Sequence, residues 1–567
     1  MTRRRGRTEP ISRQRLRRRG DDAAHRGAQH AANRVRAARR SVRGLDAAMR
    51  RPGTYCHPAG RIVRIETHIS VVYLAGRFAY KIIKPVAPGF ADFTAMDTRR
   101  RCCEAQVRLN RPLARALYLD VLPIARNGGR LRLGATGAAI EHAVKMRRFD
   151  EATLFSTLAK HSALMPRDID GAARRLAGYH RHAPHNVPAS RYGSAALLRA
   201  QVEAVNASLL ANVSHPALRE ISAWCAQQLD MHASALERRR ADGFVRGCHG
   251  DLHLDNVVRW RGRIAMFDCI DFDDALRWID VANDVAFLIM DLRARAGARL
   301  ANRLLNGWLD VSGDYSALAP MALYVVYRAL VRAWVAHLKG RNASARRAAN
   351  AALDTQRYIG VACAEMRRPR PVLLLCHGYS GSGKSVASRA LAELSGAVHL
   401  SSDVERKRLI SPRASDDRLG VEHYTHIARD AIYDHLLRLA SDVLQQGYSV
   451  IVDATFIMHM HRSAFVALAQ RLGVPVCMLD FHADPSVLIE RIEARNRGPR
   501  NASDADVSTL TLQLAGADPL THDEKALTFT FDTAVPLAAF DSTAYWRPVI
   551  ELMQRAAELT EPTMQAC

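Results

Sequence analysis

Two stretches of this 567-residue chain gather the side chains that handle phosphate. The first is His249-Gly250-Asp251-Leu252-His253-Leu254-Asp255-Asn256, with a carboxylate and an amide five positions apart on what reads as a loop. An acceptor hydroxyl needs a carboxylate to orient it and take its proton. A nucleoside triphosphate needs Mg²⁺ held by hard oxygen ligands. Asp251 suits the first need and Asn256 the second. The other stretch is Gly378-Tyr379-Ser380-Gly381-Ser382-Gly383-Lys384-Ser385. Its glycines Gly378, Gly381 and Gly383 let backbone amides, Ser382 included, wrap a phosphate chain. Lys384 reaches the β- and γ-phosphates, and the Ser385 hydroxyl suits Mg²⁺.

Each motif needs particular elements around it. Asp268 ends the apolar run Ile264–Phe267, where a second metal ligand would sit. Lys81 lies inside the β-rich run Phe78–Ile83, and Glu104 inside a helix expected near 98–113. A strand lysine paired to a helix glutamate is the phosphate clamp of kinase-like sheets. Around these residues the pattern predicts a small mixed sheet with one helix, then helices over 150–245 and 280–362. The second motif follows the continuous apolar run Val372–Cys376, the mark of a buried parallel strand, and opens a helix over 385–394. Further apolar runs at Ser449–Val452 and Val476–Phe481 predict a doubly wound α/β layer. Asp403, after Val398–Leu400, can take an acceptor's proton, and Arg406 one turn on can hold an anionic group. Asp453 ends the next strand as a Walker-B-type acid or a structural cap. Arg491, Arg495, Arg497 and Arg500 read as a lid over transferred phosphate or as a solvated basic helix end.

Residues 45–365 resemble the aminoglycoside phosphotransferase family, a branch of the protein-kinase-like fold. The likeness rests on His249–His253, Asn256, Phe267-Asp268-Cys269-Ile270-Asp271-Phe272, Ile279-Asp280 and Asp284–Ala286. It implies Asp251 as catalytic base, Asn256 and Asp268 as Mg²⁺ ligands, and Lys81 on the nucleotide phosphates; Asp271 competes for the metal because Ile270-Asp271-Phe272 also fits the family pattern, though the spacing from Asp251 favours Asp268. Two features depart from the pattern. Thr67–Ser70 stands where a Gly-rich turn is expected, and Gly250 replaces the arginine of the His-Arg-Asp triplet. Residues 370–550 resemble small P-loop kinases of the zeta-toxin, polynucleotide-kinase and gluconate-kinase kind, which implies Asp403 as base, Arg406 on the substrate and Arg495–Arg500 as lid. The tandem order resembles bacterial bifunctional aminoglycoside phosphotransferase/ATP-binding proteins.

The expected architecture is therefore multidomain α/β. An Arg-rich disordered tail (1–42) precedes a protein-kinase-like α+β domain (43–365), a linker (366–371), a P-loop α/β doubly wound domain (372–550) and a C-terminal tail (551–567). The expected chemistry is transfer of a phosphoryl group from ATP, with Mg²⁺, to hydroxyls of small-molecule acceptors. Two readings compete: a nucleic-acid 5′-end kinase, and a P-loop ATPase governed by a degenerate kinase-like sensor. Single-strand binders need stacking aromatics, and the C-terminal motif has few nearby, Tyr424 and Phe456 among them. Intact Lys81, Asp251, Asn256 and Asp268 argue against the sensor.

The net charge of +26 is high, and residues 1–51 alone hold seventeen arginines against four acids. That balance fits anionic ligands and does not by itself require nucleic acid. The ten cysteines show no C-x-x-C spacing, which reads as free thiols in a reducing cytoplasm. The histidines at 180, 182, 185, 459 and 461 read as surface residues rather than zinc ligands. The apolar stretch Met321–Leu338 contains Arg328 and Arg332 and reads as a core helix, so no membrane partner is expected. Oligomeric state is left open.

Overall fold

The computed structural model describes residues 44–67, 69–87, 92–187, 189–341, 343–410, 426–497 and 506–558. His68, Tyr424, Arg500 and the Arg-rich segment 1–42 lie outside them. The chain divides into two compact units: residues up to Glu151 with Ala265–Arg277, and Ala152–Ile264 with everything after Trp278.

The first unit is a six-stranded sheet. Its strands are β1 (Val63–Glu66), β2 (Ser70–Ala75), β3 (Phe78–Ile83), β4 (Tyr118–Asn127), β5 (Arg130–Leu133) and β6 (Ala139–Arg147), in the order β1-β2-β3-β6-β4-β5. Every pairing is antiparallel, not mixed as the pattern suggested. Short connections join β2 to β3 and β4 to β5, and only antiparallel neighbours can be joined so tightly. β3 is buried along its whole length. Side chains alternate faces along a strand. Tyr80 and Ile82 therefore join the core with Leu45, Met49, Tyr55 and Tyr73, while Lys81 points to the opposite face. Helix α1 (Met96–Ala114) packs on β4 and β6. A buried ion pair, Arg99 Nε to Glu141 Oε2 at 2.8 Å, ties α1 to β6.

The second unit begins with helices α2 (Pro166–His182), α3 (Ala195–Asn212) and α4 (Leu218–Ala241). The short strands β7 (Val245–Gly247), β8 (Val257–Trp260), β9 (Arg263–Met266) and β10 (Trp278–Asp280) follow, β7 pairing with β10. Helices α5 (Val281–Arg295), α6 (Ala298–Ser312), α7 (Leu318–Gly340) and α8 (Ala345–Met366) complete this half. α5 is buried on all sides from Val281 to Leu292, so its Asn283, Asp284 and Asp291 must find their partners inside the protein. Among the described residues, Tyr315–Gly340 is the stretch long and apolar enough to cross a membrane. Most of it is buried in the protein, where α7 packs on α5 and α8.

After the linker come β11 (Leu373–His377), α9 (Lys384–Ser395), β12 (Val398–Ser401), α10 (Ser402–Ile410), α11 (His426–Gln445), β13 (Val450–Asp453), α12 (His459–Leu472), β14 (Val476–His482), α13 (Pro485–Arg497), α14 (Val507–Ala515) and β15 (Thr528–Asp532). The five strands are parallel, in the order β12-β13-β11-β14-β15. β11 sits at the centre, so the loop after it emerges at the carboxyl edge of the sheet, where ligands of open α/β sheets bind. The segment expected to begin a tail at 551 instead belongs to helix α15 (Arg547–Glu558). Its Val549 and Ala556 pack with Trp546 and Phe540 in the core around β11 and α9.

α6 touches both halves of this unit. Asn302 Nδ2 donates to Glu393 O at 2.9 Å and Arg299 Nε to Glu393 Oε2 at 3.1 Å. Arg303 joins Glu393 to Asp170 of α2, the latter through bonds of 2.7 and 2.8 Å. Asn306 pairs with the carbonyl of Ala397 and the amide of His399.

Candidate functional site

In the first unit, Lys81 is 9 % exposed and its ammonium pairs with the Asp268 carboxylate. Desolvation would lower its pKa, but Asp268 and then Asp271 outweigh it and raise it. Asp268 has a φ of 62°, in the left-handed region, so its backbone is strained. Two contacts hold the segment in place: Asp268 N donates to Tyr118 Oη at 3.1 Å, and Cys269 N to Asn110 Oδ1 at 3.0 Å. Burial pushes the Asp271 carboxyl up to about 6, against the pull of Lys81 and with the help of Asp268.

The structure does not bring Glu104 to Lys81. Glu104 is exposed and bonds Arg100 at 2.8 Å, one turn back on α1. The inward face of α1 carries Cys103, Gln106 and Asn110 instead. The helical period explains this, since Glu104 falls between the buried positions 103 and 107. Lys81 is thus paired with Asp268, with the charge of Asp271 nearby, and not with a helix glutamate.

In the second unit, the catalytic-type loop is fixed from beneath. Asp284 accepts from the amides of Gly250 at 2.8 Å and His249 at 3.1 Å. His180 Nε2 lies 3.1 Å from the same carboxylate, and Trp308 donates to its other ring nitrogen. His180 is therefore buried structure, not the surface residue expected. Arg328 of α7 donates to Gly250 O at 3.2 Å and to Asn283 at 2.7 Å. It serves a loop that lacks its own arginine at 250, and its place in an apolar run gave no local signal of that. Asn256 Nδ2 donates to Asp251 O at 2.9 Å, and His253 Nε2 is 3.3 Å from Asp251 Oδ2. Desolvation works to raise the Asp251 pKa, yet His253 and Arg332 hold it well below the usual carboxylate range. The Asp251 carboxyl is thus held in its charged form.

The P-loop joins β11 to α9. Gly378 and Gly381 have φ of +139° and +86°, and a Cβ on either would lie 2.7 Å from a carbonyl oxygen, of Phe481 and Leu488 respectively. Only glycine fits there. Gly383 N-caps α9, which begins at Lys384. Lys384 Nζ donates to Tyr379 O at 3.2 Å. Ser385 lies beside the buried Asp453, whose pKa is raised by burial against the opposing charge of Lys384. Asp453 Oδ1 and Ser382 Oγ have no hydrogen-bond partner among the described residues. Asp403 and Arg406 pair at 2.9 Å on α10.

Two braces were missed in the sequence. Gln513 of α14 bonds both the amide and the hydroxyl of Ser380. Arg491, expected in the lid cluster, instead spans Thr533 O at 2.7 Å and Gly381 O at 3.5 Å. Arg495 and Arg497 end α13, and Arg500 falls outside the described residues.

Residues 102–321 match the model of the phosphotransferase enzyme family, and residues 373–520 match that of the AAA domain. In order along the chain, then, come a stretch similar to the phosphotransferase enzyme family and a stretch similar to the AAA domain, the second carrying the P-loop. Uncharacterized proteins of Mycobacterium bovis and Mycobacterium tuberculosis are 29 % identical over 494 residues, covering 86 % of this chain and 95 % of theirs. Among solved structures, a gluconokinase from Sinorhizobium meliloti 1021 is 23 % identical, covers 34 % of this chain and 100 % of its own, and has a TM-score of 0.25. A choline/ethanolamine kinase family protein from Mesorhizobium loti is 14 % identical, covers 55 % of this chain and 92 % of its own, and has a TM-score of 0.34. Taken together, the two family matches support phosphoryl transfer in general.

Proposed function

We propose that each half transfers the γ-phosphoryl group of ATP to a hydroxyl of a small-molecule acceptor, with Mg²⁺ as the metal. One observation carries this reading: the Asp453 carboxylate is buried at a strand end beside the P-loop Ser385, with one oxygen free of any partner among the described residues. A buried, unpaired carboxylate oxygen is costly without a ligand, and a hydroxyl beside a carboxylate is a hard-oxygen donor set suited to Mg²⁺. Mg²⁺ when bound neutralises charge on the transferring group. Ser385 and Asp453 would hold it in the second half.

The chain's own residues do the rest. Lys384 and the P-loop amides bind phosphates, and Asp403 takes the acceptor's proton while Arg406 keeps its carboxylate in place. In the first half Asp251 orients and deprotonates the acceptor, His253 and Arg332 keep it ionised, and Lys81 holds phosphate.

The test compares wild type, Asp251→Ala and Lys384→Ala with a pooled metabolite extract, reading phosphorylated products by mass. The two variants are expected to lose different products. If neither loses any product that the wild type makes, the proposal is wrong.

A further inference from the structure

Helix α10 carries Asp403 and Arg406, yet its buried side chains, Glu405 and Lys407, are both charged. Polar contacts rather than apolar area must locate such a helix. A buried carboxylate is tolerated only where donors meet it, and Glu405, 1 % exposed, meets three. They are Tyr315 Oη at 2.8 Å, His435 Nε2 at 3.2 Å, and Arg408 on the same helix.

Tyr315 belongs to the phosphotransferase-family half, ninety positions earlier in the chain. Arg408 also donates to the carbonyls of Asp310 and Leu309 at the end of α6, at 2.7 and 3.3 Å. Tyr315 is itself held firmly. Asp314 caps the short turn Tyr315–Ala317 by accepting from Ala317 N. Arg239 then grips Asp314 and Asp280 through four bonds of 2.7 to 2.9 Å. Asp280 in turn caps α5, the helix that supplies Asp284 to the Asp251 loop.

We propose that Tyr315 is a positioning residue for phosphoryl transfer at the P-loop: through Glu405 it sets the pose of α10, and so of Asp403 and Arg406. This rests on the reading of the P-loop half as a kinase with Asp403 as base. The P-loop half then takes part of its active-site order from the domain that precedes it.

The test uses the full chain carrying Asp251→Ala, so that turnover reports the P-loop half, with Tyr315→Phe or Glu405→Gln added. Both substitutions keep side-chain shape, and Lys384→Ala defines the P-loop product. Tyr315→Phe should lower kcat for that product about tenfold while KM for ATP changes less than about twofold. Amide exchange should quicken at 402–410 and stay unchanged at 384–395. Glu405→Gln should do the same, since it removes the charge that all three donors meet. Unchanged kcat with unchanged exchange at 402–410 overturns the proposal. So does faster exchange across the whole of 372–550, which marks a merely structural role. If no Lys384-dependent product forms even without Tyr315→Phe, the kinase reading fails. Exchange at 402–410 then decides on its own whether Tyr315 holds α10.

Discussion

The carboxylate of Asp284 takes the backbone amides of Gly250 and His249 at once, at 2.8 and 3.1 Å, from a helix buried on every side. The loop bearing Asp251 is therefore held through its backbone at 249 and 250 and not through Asp251 itself. Replacing Asp284 with alanine strands two buried amides and His180. A cost of about 3 kcal/mol in folding stability is expected, together with loss of the Asp251-dependent product. Denaturant unfolding and product mass spectrometry check this. Asp284→Asn keeps one acceptor and should fall between.

Gly381→Ala tests the P-loop backbone. The added methyl would meet Leu488 O at 2.7 Å and Ile492 Cγ1 at 3.2 Å, at a φ of +86°. Strain of about 1–3 kcal/mol should weaken nucleotide binding at this loop at least about fivefold. Calorimetric titration of MgATP against the variant, with Lys384→Ala as the reference for the lost site, reads the change.

Asp310, on α6, gives a pH signature. Burial pushes its carboxyl up to about 6, against the pull of Arg389 and Arg408. The folded chain thus keeps a proton that the unfolded chain releases near its ordinary carboxylate pKa. Stability from this group is intact below that ordinary value and falls as pH rises toward about 6, by up to about 3 kcal/mol. Asp310→Asn should remove the slope, so its advantage over wild type grows from pH 4 to pH 6.5. Unfolding curves across that range would show an unchanged slope if Asp310 were ordinary.

Much of the architecture is legible in the sequence. The apolar runs at 372–376, 449–452 and 476–481 became β11, β13 and β14, because a strand buried on both faces leaves a continuous apolar signature. β15 escaped notice, since its Thr528 and Thr530 alternate with phenylalanines at the sheet edge. Motifs that are local in sequence were visible for the same reason: His249–Asn256 and Gly378–Ser385 carry their spacing with them. Contacts between distant elements were not. Arg328, Gln513 and Tyr315 stand in ordinary helical surroundings, and only the fold brings them to Gly250, Ser380 and Glu405. The misreading of Glu104 is the same failure at short range, where a rotation of one position along α1 decides what faces Lys81.

The polar seam along α6 changes what a domain boundary means in this chain. The Arg367–Pro371 segment is where a protease or a cloning primer would divide it. Yet Arg299, Asn302, Arg303 and Asn306 grip Glu393, Ala397 and His399 from the other side of that cut. A nicked chain is expected to elute as one particle at moderate salt and to part only when the Arg303–Glu393 contact is screened or mutated. A fragment starting at residue 372 would expose Glu393 and Glu405 to water without their arginine and tyrosine partners.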